Sequence, residues 1–97
     1  MAKGYWVSCY REIKNPDALA AYAKLAGPAV QAGGGKFLAR GGRIEAFEAG
    51  VKERTVVVEF PSFEQALATH DGPDYQAAVV KLEGAVERDF RVIEGID

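Results

Sequence analysis

Ninety-seven residues, 48% of them hydrophobic and 27% charged with both signs interleaved, suit a single folded domain spanning 1–97 and exclude a disordered or collagen-like chain. The formal net charge is −2 and the twelve basic residues are scattered singly from Lys3 to Arg91, so no phosphate-tracking surface forms and nucleic acid is not an expected partner. Cys9 is the single cysteine, the N-terminus lacks the apolar core of a signal peptide, and no apolar stretch is long enough to span a bilayer. The expected setting is therefore the reducing cytoplasm, with no membrane partner.

Gly4 to Ile13 alternates with a strand period, placing Tyr5, Val7 and Cys9 on one face and Trp6, Ser8 and Tyr10 on the other, neither clearly polar. Asn15-Pro16-Asp17 then starts a helix: a capping side chain, proline at the first helical position and an acid in the first turn. Leu19, Tyr22, Ala26, Ala29 and Val30 follow at helical spacing, Pro28 should kink or shorten the helix, and Gly33-Gly34-Gly35 ends it. Lys36 to Arg40 predicts a short strand, interrupted by a bulge or bend at Gly41-Gly42 and continued over Ile44 to Glu48. Ala49-Gly50 suits a hairpin turn into a third strand, Arg54 to Phe60.

Ser62 with Gln65 makes a capping-box pattern for a helix carrying Phe63, Ala66, Leu67 and His70 on one face. Asp71-Gly72-Pro73-Asp74 breaks and restarts it, Tyr75, Ala78, Val79, Leu82 and Val86 form the next apolar stripe, and Asp89 to Glu94 reads as the last strand. The order strand, helix, strand, strand, helix, strand predicts an α+β, ferredoxin-like βαββαβ domain: a four-stranded antiparallel sheet with two helices on one face.

Helices can cover only one face of such a sheet, yet the first and third strands are apolar on both. Trp6 and Tyr10 alone would leave about 300–500 Å² bare, more than a soluble monomer usually exposes. The expected partner is a second copy of the chain, packed sheet against sheet in a two-fold homodimer.

KGYW at 3–6, FLARGG at 37–42, VVVEFPS at 56–62 and GPDYQAA at 72–78, in that order, resemble the bacterial DUF1330 family over essentially the whole chain. The resemblance implies a dimeric α/β-barrel form of the ferredoxin-like fold and no established activity. Relatives of that fold include cofactor-independent monooxygenases, haem-degrading enzymes and small-molecule binders. Where family members often carry aromatics before GPDYQ, this chain has Thr69-His70.

Candidate chemistry is sparse. Counting back from a two-residue turn at Ala49-Gly50 sets Arg40 opposite Glu59, either as a structural ion pair or as a general base beside an acid-receiving arginine. His70, the single histidine, falls on the apolar side of its helix, where it either packs or moves a proton at a pocket mouth. Tyr22 and Tyr75 lie on inner helical stripes and either fill the core or donate hydrogen bonds to a ligand. Glu59 and His70 are thus the catalytic candidates, and Tyr22, Arg40, His70 and Tyr75 the ligand-binding ones, for a small molecule turned over without a cofactor. The alternative is a non-catalytic structural or regulatory dimer.

No metal site is expected from one histidine and one cysteine, and Cys9 has no base nearby to activate it. Gly33-Gly34-Gly35-Lys36 lacks both the earlier glycine and the following Ser or Thr of a phosphate loop.

Overall fold

A computed structural model describes residues 2–96. The chain runs β1 (Gly4–Ile13), α1 (Pro16–Ala32), β2 (Lys36–Arg40), β3 (Thr55–Phe60), α2 (Phe63–Asp71), α3 (Pro73–Val79) and β4 (Val86–Glu94), with a 3-10 turn over Val80–Leu82. The four strands stand in the order β2-β3-β1-β4, each antiparallel to its neighbours, which is the ferredoxin-like arrangement.

Local chemistry accounts for most boundaries. The Asn15 side chain accepts from the Ala18 amide at 3.1 Å, with Pro16 in the first turn of α1. Ser62 caps α2 in the same way, accepting from Gln65 at 3.0 Å. Pro28 does not shorten α1, which runs on to Ala32. Ala29 and Val30 beyond it are buried, and their packing outweighs the backbone hydrogen bond that proline removes.

The core lies between the sheet and the helices, with Trp6 at its centre. The Trp6 ring stands 4.7 Å from Tyr75, 4.9 Å from Phe60 and 5.2 Å from Phe90, centroid to centroid, and its Nε1 donates to the Ala66 carbonyl at 2.9 Å. Val30, Val58, Ala26, Ala66 and Ala78 close around it.

The face left uncovered is not the one carrying Trp6 and Tyr10. Trp6, Ser8 and Tyr10 are buried at 3%, 4% and 2% exposure beneath the helices. The open face instead carries Tyr5, Val7 and Cys9, opposite Glu59, Val57 and Thr55 on β3 and Ile93, Arg91 and Asp89 on β4. A period of two says which residues share a face; when both faces are apolar it does not say which one the helices take.

β2 also stops at Arg40 rather than continuing to Glu48. Residues 41–54 form a loop whose turn places Glu48 at φ 54 and bonds the Gly50 amide to the Phe47 carbonyl at 2.8 Å. With no tight hairpin to set it, the register follows the core pairing of Phe37 with Val58 and a bulge before Ala39. Arg40 therefore faces Val56 and Glu59 faces Lys36, so the expected Arg40–Glu59 pair does not form. Glu59 bonds Lys3 Nζ at 3.1 Å and the Tyr5 hydroxyl at 3.5 Å.

At the other end β4 begins at Val86 rather than Asp89. Gly84, at φ 71, has already turned the chain, and the Ala85 carbonyl is held by the amides of Lys14 and Asn15 at 2.7 and 3.1 Å.

Candidate functional site

The early start of β4 brings Arg88 into the sheet opposite Tyr10, on the helix-covered face with Phe90 and Val92. α1 packs along α3 and the 3-10 turn and lays Ala26, Ala29 and Val30 into the core over the sheet. Its small residues Ala23, Ala26 and Gly27 leave space beneath it where larger side chains would fill the gap. The result is a narrow cleft of about 40 Å³ between α1 and the sheet.

Three arginines line it, Arg40 from β2, Arg54 from the end of the loop and Arg88 from β4, among the rings of Trp6, Tyr10, Tyr22, Phe37 and Phe90. No carboxylate and no imidazole is part of the lining. Among the described residues none of the three arginines has a salt-bridge partner; Lys3, Lys14, Lys52, Arg11 and Arg91 have one, while Lys24, Lys36, Arg43 and Lys81 also have none.

Arg88 is satisfied by neutral hydroxyls. Its Nη2 donates to Tyr75 at 3.1 Å, and its Nη1 to Tyr22 at 3.3 Å and Ser8 at 3.4 Å, while the two phenol oxygens lie 2.6 Å apart. Burial opposes the Arg88 charge, and the neighbouring Tyr75 and Tyr22 outweigh it, so its pKa is raised and the guanidinium stays charged. Burial first, and then Tyr22, raises the Tyr75 pKa against the pull of Arg88; burial also raises that of Tyr10, with Arg88 opposing. These two phenols are hydrogen-bonding groups at neutral pH and not bases.

Arg54 is held differently. Its Nε is buried without any hydrogen-bond partner, a situation that costs about 1–3 kcal/mol unless a partner arrives. Gly41, at φ 69, makes room for it: a Cβ there would stand 2.6 Å from Arg54 Nη1. Arg40 lies over the Phe37 ring, 4.3 Å from its centroid, nearer the edge of the sheet.

Of the residues picked out in the sequence, Tyr22 and Arg40 line the cleft, while Tyr75 does not line it and only holds Arg88 through its hydroxyl. His70 does not line it. Its ring packs 5.2 Å from Phe90 and 5.5 Å from Tyr75, and its Nδ1 lies 3.0 Å from Asp71 Oδ1. Glu59 is on the opposite face of the sheet. Arg54 and Arg88 are the charged cleft residues that sequence reasoning passed over. The available signal was the alternation Arg88, Phe90, Val92, which puts a cation on an apolar stripe.

Among the described residues there is no cluster of His, Cys, Asp and Glu able to hold a metal ion, and no helix is long and apolar enough to cross a membrane.

Solved structures share this fold. A protein of unknown function from Rhodopseudomonas palustris, RPA0582, is 24% identical with a TM-score of 0.71, over 96% of this chain and 80% of that one. A dimeric ferredoxin-like protein of unknown function from Thermobifida fusca is 18% identical with a TM-score of 0.60, covering 96% of this chain and 89% of its own. SnoaB, a cofactor-independent oxygenase from Streptomyces nogalater, reaches a TM-score of 0.65 at 8% identity, over 96% and 92% of the two chains. At such identities the likeness is one of fold. No curated protein matches the chain. The family pattern described as "Domain of unknown function (DUF1330)" matches residues 3–96, nearly the full length of the fold just described, and the chain belongs to that family.

Proposed function

We propose that this protein binds a small molecule in the cleft between α1 and the sheet, and that it works as a homodimer joined through the uncovered sheet faces. The observation that carries the first half is the cleft itself: Arg40, Arg54 and Arg88, none with a carboxylate partner among the described residues, border open space walled by aromatic rings. A purely structural or regulatory dimer, the alternative, has no use for the empty space.

The second half rests on the open face. Tyr5, Val7, Cys9 and Val57 are only half-buried there and Ile93 is 55% exposed. Beside them the loop raises Phe47 and Val51, at 78% and 46% exposure, over a groove that Cys9 and Thr55 also line. A second copy covers both features at once, as the dimeric Thermobifida fusca neighbour would suggest by analogy. A cytoplasmic setting goes with the free thiol of Cys9.

An oxygenase or isomerase step without a cofactor, by analogy with the SnoaB fold, would use the arginines to hold an enolate as its charge develops. No Asp, Glu or His lines the cleft to take the proton, so such a substrate must be acidic enough to ionise without one.

Native mass spectrometry of gently purified protein tests both halves. A species at twice 10.4 kDa carrying additional mass is the expected result. A bare species in every preparation, together with no thermal shift across a library of small acids, amides and alcohols, would count against ligand binding; a mass of 10.4 kDa would count against the dimer.

A further inference from the structure

Resting on the small-molecule reading, we propose that the ligand is a planar organic anion, an aromatic or conjugated carboxylate. Its charged group is received between Arg54 and Arg88, and its apolar body lies against the rings and the small residues of α1.

Charge is the first argument. The chain has 14 acidic residues against 12 Lys and Arg, so acids are in excess, yet none is placed among Arg40, Arg54 and Arg88. Acids that do pair sit elsewhere, Glu59 with Lys3 and Asp89 with both Arg11 and Arg91. The cleft is thus a positive site inside a net negative protein, and an incoming anion supplies the missing counter-charge.

Geometry narrows the class. The Cζ atoms of Arg54 and Arg88 lie 5.9 and 5.7 Å from the centroid of the same Tyr10 ring, so both guanidiniums stand beside one aromatic side chain. Arg88 is already oriented by Ser8, Tyr22 and Tyr75, whereas the Arg54 guanidinium makes no hydrogen bond among the described residues. A guanidinium fork fits the two coplanar oxygens of a carboxylate.

The rest of the lining is aromatic or aliphatic, with Tyr22, Phe37, Phe90, Val56 and Val58 prominent. The arginines alone would accept a phosphate as readily as a carboxylate, and it is this apolar wall that suits a flat body attached to the charged group.

Isothermal titration calorimetry on the full chain distinguishes the possibilities, with benzoate and trans-cinnamate, their neutral amides, and inorganic phosphate as probes. The expected result is that the carboxylates bind about tenfold or more tighter than the amides. Arg54→Met should abolish most of that preference, and Arg54→Lys, which keeps the charge, should retain part of it. The unliganded Arg54→Met protein should melt at the same temperature as wild type or higher, because a buried unpartnered Nε has been removed.

Amides binding as tightly as the acids would overturn the anionic class while leaving the small-molecule reading standing. Phosphate binding as tightly as the carboxylates would overturn the planar organic class. Heat from neither acids nor amides would overturn the inference as well, and the native mass spectrum would then report separately whether ligand binding fails with it.

Discussion

Tyr75 is 1% exposed, and its hydroxyl links the aromatic core to Arg88 and Tyr22. Burial, then Tyr22, holds its pKa above the ordinary 10.0, with Arg88 acting the other way. Above pH 10.0 the unfolded chain releases this proton and the folded one keeps it, so the contribution of Tyr75 to stability is complete below that pH. It is lost as the pH climbs towards the folded value. Urea midpoints measured from about pH 9 to about pH 11 should therefore fall more steeply for wild type than for Tyr75→Phe, and parallel slopes would show that the hydroxyl titrates freely. Tyr22 and Tyr75 were legible in the sequence because helical spacing puts them on inner stripes. Arg54 and Arg88 were not, because each stands near a strand end whose boundary depends on a distant contact.

Elements were easiest to read where one or two side chains set their limits. Asn15 and Ser62 cap their helices as their positions predict, and Gly72-Pro73 separates α2 from α3. Gly4 acts between elements. It opens β1 directly beneath the start of α2, where a Cβ would meet the Ser62 carbonyl and lie 2.6 Å from Phe63 Cα. Both obstacles are backbone, so they cannot swing aside. Gly4→Ala should cost about 1–3 kcal/mol in a chemical denaturation experiment. Gly42→Ala, where a Cβ meets nothing within 4 Å, serves as the control and should cost far less. The loop of residues 41–54 was the least legible stretch: Ile44 to Glu48 has strand-like composition, but Gly41 at φ 69 and Glu48 at φ 54 turn the backbone away from the sheet.

At the scale of the whole molecule the uncovered face makes a further prediction. Val7 and Val57 are paired at its centre, half-buried in the single chain and remote from the cleft on the other side. Val7→Lys should place a charge in the proposed dimer contact and leave the helix-covered core intact. In sedimentation velocity, wild type should run at twice 10.4 kDa and Val7→Lys near 10.4 kDa with unchanged circular dichroism; a variant that still dimerises would move the interface elsewhere. Size, element order, helix caps and the alternation of side chains along each strand were all present in the order of the amino acids, because capping, turn and period-two preferences act over a few neighbouring residues. Which face the helices cover, the register of β2 on β3 and the gathering of Arg40, Arg54 and Arg88 in one cleft came from packing. Those outcomes rest on pairs such as Ser8 and Arg88, 80 positions apart, and on two apolar strand faces that local preference cannot tell apart.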